Sequence, residues 1–257
     1  MNFDDQMLER LCSASHVVVF TGAGMSQESG VPTFRDALIG LWENYDPEML
    51  ATPGAFLKDP DLVWGWYEWR RTRVLSVKPN AAHRVVAQMQ AKFRKVTVIT
   101  QNVDDLHERA GSRNVVHLHG SLHCPRCFAC AREHTLPDAM AEEPEGGRRI
   151  PPPNCIHCGD RVRPGVVWFG ESLPSSEWEQ AQQAATDCDV FFSVGTSSIV
   201  MPAASLPILA SQYNAMVIQV NPHSTSHDEV VHFNLRGKAG EVFTALQLAM
   251  GWNEENG

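Results

Sequence analysis

Apolar positions along the chain fall into short continuous runs separated by polar, glycine-bearing segments. His16 to Phe20, Lys95 to Thr100, Val115 to Leu118, Val190 to Val194 and Ala215 to Val220 predict strands. Runs this short, apolar at consecutive rather than alternate positions, suit a parallel sheet covered on both faces. Between them the period lengthens, and residues 3–15 and Ala81 to Ala91 predict helices. Strands alternating with helices predict an α/β fold with a parallel sheet.

Two stretches break the alternation. Residues 37–79 carry Trp42, Trp64, Trp66 and Trp69 at helical spacing. Residues 120–165 carry a cysteine cluster and a loop, Glu142 to Pro153, rich in Glu, Gly, Arg and Pro. Both read as insertions. The expected division is a larger α/β domain from 1–36, 80–119 and 166–257. A smaller lobe would combine the helical insertion 37–79 with a metal module at 120–165.

Charge and composition narrow the picture. With 21 basic and 30 acidic residues the formal charge is -9, which argues against direct nucleic-acid binding. An acidic surface suits basic partners such as lysine-rich peptides. No apolar run approaches the roughly 20 residues needed to span a bilayer. Met1 to Arg10 lacks a signal-peptide pattern, so a cytoplasmic protein is expected. Of the seven cysteines five lie between 124 and 158, the clustering of a metal site rather than of a disulfide framework.

Candidate chemistry collects at predicted strand ends, where parallel sheets bind ligands. After the first strand comes Thr21-Gly22-Ala23-Gly24-Met25, whose glycines would let backbone amides approach a pyrophosphate. Gln27 stands where G-x-G-x-x-G has its third glycine, so a tight strand-to-helix turn explains the pattern as well. After the second strand, Gln101, Asn102 and Asp104 could bond a ribose or an amide, or cap a helix. Val116-His117-Leu118-His119-Gly120 places two histidines on one strand face. A histidine there is a plausible general base, but spacing does not choose among His107, His117 and His119. Cys124, Cys127, Cys130, Cys155 and Cys158 contain two Cys-x-x-Cys pairs, which make a closed, structural tetrahedral zinc site. Cys124/Cys127 and Cys127/Cys130 both satisfy the first pair, and His123 and His157 compete as ligands. Arg163 to Glu171 reads as a short apolar strand with a glycine stop. Gly195-Thr196-Ser197-Ser198 and Gln219-Val220-Asn221-Pro222 each follow an apolar strand.

In this order and spacing, over about residues 10–245, the motifs resemble the sirtuin family of NAD-dependent protein deacylases. The resemblance implies a Rossmann-like large domain with a smaller helical and zinc-binding lobe, NAD as a consumed co-substrate and one structural zinc ion. It implies that Gly22, Ala23, Gly24, Met25, Phe34 and Arg35 form the NAD-binding loop. Gln101, Asn102 and Asp104 would hold nicotinamide and ribose groups, with Asn102 and Asp104 at the bond that breaks. His119 would be the catalytic base. Gly195, Thr196, Ser197, Asn221 and Ala239 would complete the NAD site. Val167, Trp168, Phe169 and Gly170 look like the strand that pairs with a substrate peptide. In related sirtuins the first zinc cysteine follows the catalytic histidine by eight positions. The implied ligands are therefore Cys127, Cys130, Cys155 and Cys158, with Cys124 an extra thiol.

Tyr67-Glu68-Trp69-Arg70, after Ala51-Thr52-Pro53, resembles the class III sirtuins, in which a Tyr-x-x-Arg pair faces an acidic acyl group such as succinyl. A guanidinium and a phenol can grip a carboxylate together, and the small Ala51 would leave room for a longer chain. The bland reading makes Tyr67 and Arg70 neighbours on a solvated helix. Burying a guanidinium beside a neutral acetyl group is costly, so acetyl-lysine is expected to be the poorer substrate. The implied reaction starts with attack of the acyl oxygen on the ribose carbon as nicotinamide leaves. His119 then takes a proton from a ribose hydroxyl, and O-acyl-ADP-ribose and free lysine follow. The expected partners are acylated lysine peptides or proteins. Two readings compete with deacylation: protein mono-ADP-ribosyl transfer, and a non-catalytic zinc-containing module that senses NAD.

Overall fold

The computed structural model describes residues 1–32, 50–136, 144 and 147–252. Eight strands form two sheets among these residues. The larger holds β1 (His16–Thr21), β2 (Lys95–Thr100), β3 (Val115–His117), β6 (Val190–Val194), β7 (Met216–Val220) and β8 (Phe233–Leu235). Its order is β3-β2-β1-β6-β7-β8, and every neighbouring pair is parallel. Chain order reverses between β1 and β6, which opens a crevice at their C-terminal ends.

Strand alternation explains the continuous apolar runs. Val17, Val19, Val98, Phe192 and Ile218 face one core, shared with α1 (Asp5–Ser13), α5 (Ala81–Met89) and α9 (Ala239–Ala249). Their neighbours Val18, Phe20, Ile99, Phe191 and Val217 face the other, under α7 (Ser175–Asp187) and α8 (Leu206–Gln212). Each fully buried side chain of this size contributes roughly 1.5–3 kcal/mol, so neither face tolerates a polar run. The helix expected at 3–15 starts at Asp5, because the Asp4 side chain accepts the Met7 N–H and caps it.

The other sheet pairs β4 (Gly120–Cys127) with β5 (Val162–Val166), antiparallel. It shares a third core with α3 (Pro53–Lys58) and α4 (Pro60–Ser76). Here α4 is buried on all sides from Leu62 to Trp69, not solvated on one face. The loop 148–150 closes over it: a Cβ at Gly65 would stand 2.0 Å from the Arg148 carbonyl oxygen. Arg149 pairs with Asp59 at 2.6 Å on the same side.

The segment 167–170 departs from expectation. The strand of this region is β5, and it ends at Val166. Val167 to Gly170 leave the sheet into a turn, with Val167 N–H donating to the His119 carbonyl and Phe169 N–H to that of Ala51. Those two bonds hold the segment in place of a strand ladder.

No helix among the described residues is long and apolar enough to cross a membrane.

Candidate active site

A cleft of about 720 Å3 opens at the crevice between β1 and β6. Its floor is two turns packed backbone to backbone. Gly22 N–H donates to the Val194 carbonyl and Gly24 N–H to that of Gly195, both at 2.9 Å. A Cβ on Gly22 would lie 2.8 Å from the Gly195 oxygen, and one on Gly24 2.7 Å from the Gly195 Cα. The glycines therefore admit a second loop first, and the cleft lies over the pair. Gly195, at φ +59°, needs the left-handed conformation that glycine adopts without strain.

The short helix α2 (Ala23–Gln27) starts from this floor. Gly22, Ala23 and Gly24 line the cleft, but Met25 does not. Its side chain is fully buried in the core under β1, which corrects the expectation that it lines the dinucleotide site. Successive positions on a helix point about 100° apart, so the turn that aims Ala23 outward aims Met25 inward. Phe34 and Arg35 lie outside the described residues.

The loop after β2 is tied to this turn by a buried polar set. Asn102 Nδ2 donates to the Gly22 carbonyl at 3.0 Å and to Ser26 Oγ at 3.1 Å. Ser26 Oγ donates to Asp104 Oδ2 at 2.9 Å, and Asp104 Oδ1 accepts the Leu106 N–H at 3.1 Å. Asp104 thus lines the cleft and closes a turn ahead of α6 (Leu106–Arg109), but the N-cap of that helix is Asp105, against the expectation of a cap at Asn102 or Asp104. Burial raises the Asp104 pKa, while the Leu106 N–H and Ser26 hydroxyl oppose that rise. Sequence reasoning passed over Ser26; its signal was a small polar residue one helical turn beyond the first glycine.

Geometry separates the three histidines. Only His119 lines the cleft. His107 is buried behind it, 3.1 Å from Thr21 Oγ1. His117 is engaged by Glu108 at 2.6 Å. His119 Nδ1 lies 3.0 Å from the Gln101 carbonyl. A carbonyl only accepts, so Nδ1 carries the proton and the neutral ring keeps its lone pair at Nε2. Burial lowers the His119 pKa, with the Gln101 carbonyl acting against it.

Gln101, Gly195, Thr196, Ser197, Asn221 and Ala239 also line the cleft. Asn221 Nδ2 donates to the Thr196 carbonyl at 2.9 Å, joining the turns after β7 and β6. A long cleft over a parallel switch point, with a helix N-terminus at its floor, fits a dinucleotide.

The far wall comes from the smaller sheet and α4. Ala51, Tyr67, Arg70, Val167, Trp168, Phe169 and Gly170 all line it. The Arg70 guanidinium carbon lies 5.0 Å from the Trp66 ring centroid and 5.7 Å from that of Tyr67. Burial lowers the Arg70 pKa and the charges of Tyr67 and Asp104 oppose it. Tyr67 is 3 % exposed, and burial pushes its phenol up to about 12. The Tyr67 phenol therefore keeps its proton at neutral pH, and a guanidinium stays charged in proteins whatever its surroundings. An apolar rim of Ile199, Val200 and Met201, absent from the sequence expectations, closes the mouth.

Apart from the cleft, Cys127, Cys130, Cys155 and Cys158 bring their sulfurs within 4.8 Å of one another. The Cys127–Cys158 and Cys130–Cys155 separations are 3.4 and 3.8 Å. A tetrahedron with Zn–S bonds of about 2.3 Å has edges of about 3.8 Å, so the four thiols fit zinc. The Cys130 N–H lowers the Cys127 thiol pKa, while the bond shared with Cys127 raises that of Cys158. Cys124, His123 and His157 are outside this group.

Comparison with known proteins agrees with this geometry. A family model described as the Sir2 family matches residues 22–202. An NAD-dependent protein deacylase of Methylococcus capsulatus is 58% identical over 97% of this chain and 98% of its own. NAD-dependent protein deacylase 1 of Pseudomonas aeruginosa is 56% identical over 93% and 96%. A solved Sir2 homolog–NAD complex superposes with TM-score 0.87 at 44% identity, covering 98% of this chain and 95% of that one. A Sir2 bound to acetylated peptide reaches 0.83 at 27% identity, over 96% and 98%. The chain belongs to the Sir2 family, the sirtuins.

Proposed function

We propose that this protein removes acyl groups from lysine side chains of peptides or proteins with NAD consumed, and prefers acidic acyl groups such as succinyl or malonyl. The observation that carries the reading is that His119, the Asn102–Ser26–Asp104 set and the Tyr67/Arg70 pair line one cleft.

When bound, NAD would supply an electrophilic ribosyl carbon, with nicotinamide as its leaving group, and the ribose hydroxyl that receives the acyl group. The protein's own residues then divide the work. Gly22, Ala23, Gly24, Gly195, Thr196, Ser197, Asn221 and Ala239 bind the dinucleotide. Gln101, Asn102 and Asp104 orient its nicotinamide end, with Asn102 and Asp104 held rigid by their bonds to Ser26. His119 accepts a proton at Nε2. Val167 to Gly170, a turn and not a strand before substrate arrives, line the cleft where an extended peptide would lie beside them. Zinc at the four cysteines holds the smaller lobe, and its closed coordination leaves no position for substrate. The division into 1–36, 80–119 and 166–257 against 37–79 and 120–165 is supported by the separate β4–β5 sheet.

The acidic preference rests on two donors in an apolar wall. A carboxylate arriving between a phenol and a guanidinium gains charge-assisted hydrogen bonds; an acetyl methyl gains none. Ala51 lines the same cleft, and its small side chain would leave room for a longer acyl chain.

The test is turnover of acetyl, succinyl and malonyl peptides with NAD under identical conditions. Succinyl and malonyl peptides should be turned over faster, and Arg70→Met should lower desuccinylation by roughly 10- to 100-fold, as loss of a charged hydrogen bond does. Intact desuccinylation in Arg70→Met defeats the acyl assignment. ADP-ribose left on protein, in place of a released acylated product, defeats deacylation.

A further inference from the structure

The acyl wall is organised from beneath by Arg163, Glu171 and the Trp168 ring, and of these residues only Trp168, through its backbone, has a part in the peptide pairing proposed above. Trp168 Nε1 donates to Tyr67 Oη at 3.0 Å, across 101 residues of sequence. An indole N–H only donates, so the phenol oxygen accepts here and its own proton is turned elsewhere. Accepting one hydrogen bond also strengthens a hydroxyl as a donor.

Trp168 has little freedom to let go. The Arg163 guanidinium carbon sits 3.5 Å from its ring centroid, and Phe56 packs at 5.5 Å. Arg163 is itself pinned, bonding both Glu171 carboxylate oxygens and donating from Nη2 to the Val166 carbonyl at 3.0 Å. Glu171 then accepts the Trp168 backbone N–H at 2.8 Å. Ring and backbone of Trp168 are thus held by one closed circuit: Arg163 on the face, Glu171 on the backbone, Tyr67 at the edge. All but Glu171 are at most 5 % exposed, so little water competes for these bonds. A circuit this complete is more than the packing of one tryptophan requires, and its open end is the Tyr67 hydroxyl on the cleft wall.

We propose that Trp168 is a positioning residue for acyl selectivity, its indole N–H orienting the Tyr67 hydroxyl to donate to an acyl carboxylate beside Arg70. The inference rests on the acidic-acyl reading, and adds that selectivity is set in part through the 163–171 segment rather than by the Tyr-x-x-Arg pair alone.

The test is a double-mutant cycle read as the ratio of kcat/KM for succinyl over acetyl peptide. Trp168→Phe should lower the ratio roughly fivefold, the size of one neutral hydrogen bond, mainly through the KM for succinyl peptide. Tyr67→Phe should lower it similarly, and the double variant no further than either alone. Equal losses on both substrates in Trp168→Phe, or additive falls in the double variant, overturn the inference. Because Trp168→Phe leaves a gap in the core, benzothienylalanine at 168 provides a second variant, replacing the N–H by sulfur at nearly constant volume. It should reproduce the fall; an unchanged ratio overturns the inference. A wild-type ratio at or below one defeats the acidic-acyl reading and the inference with it. A wild-type ratio above one that is unchanged by loss of the indole N–H defeats the inference alone.

Discussion

Asn102 Nδ2 donates to the Gly22 carbonyl at 3.0 Å, joining the loop after β2 to the turn after β1. The same amide reaches Ser26 Oγ, so one side chain satisfies two buried acceptors. Asn102→Ala strips both. Stability should fall by about 1–3 kcal/mol, the cost of leaving buried partners unpaired, measured by the urea midpoint. Nicotinamide release should fall roughly 100-fold, because displaced cleft groups lose their alignment. A variant with wild-type turnover removes Asn102 from the catalytic set.

His119 should act as a base only when neutral. Burial lowers its pKa below 6.5, so kcat/KM should rise with pH and level off before neutrality. An ascending limb centred above 6.5 contradicts this. His119→Ala should lose roughly 100- to 10,000-fold in turnover while still binding NAD, as measured by calorimetry. A variant that keeps its turnover ends the assignment.

Zinc content distinguishes the five clustered cysteines. The wild type should bind one ion, Cys130→Ala should lose it, and Cys124→Ser should retain it. Metal analysis of the three proteins decides the matter. Chelation should unfold the β4–β5 lobe before the large sheet melts, since a structural zinc contributes folding energy directly. Loss of zinc in Cys124→Ser would mean that the ligand set is wrong.

Acid stability should depend on two buried rings. His83 and His107 pack edge to face at 4.9 Å, and burial lowers them to about 4 and about 3. Arg84 beside His83, and His83 and His117 beside His107, push the same way, while Glu108 opposes. The unfolded rings take protons near 6.5 and the folded ones do not. Their contribution is therefore whole above pH 6.5 and is lost as pH falls toward 4 and then 3. Tm should drop across that window, and less steeply in His107→Asn. A variant that melts with the wild-type pH dependence places the effect in other groups.

Much of this protein was readable one segment at a time. The runs His16 to Phe20, Lys95 to Thr100 and Val190 to Val194 mark β1, β2 and β6 to within a residue, because a strand buried on both faces is apolar at most of its positions. The glycine turns and cysteine pairs were equally local signals. The misses share a cause. Met25 sits among cleft residues in sequence, but helical rotation carries it into the core. Val167 to Gly170 has the composition of a strand, yet its hydrogen bonds go singly to His119 and Ala51.

What the chain states locally is therefore backbone periodicity, turn chemistry and the spacing of thiols, since each is set within a few residues. Which histidine reaches the cleft, which four sulfurs converge, and that Trp168 meets Tyr67 are settled by packing. Those contacts join segments tens of residues apart, and they exist only once the sheet register and the two lobes have brought the segments together.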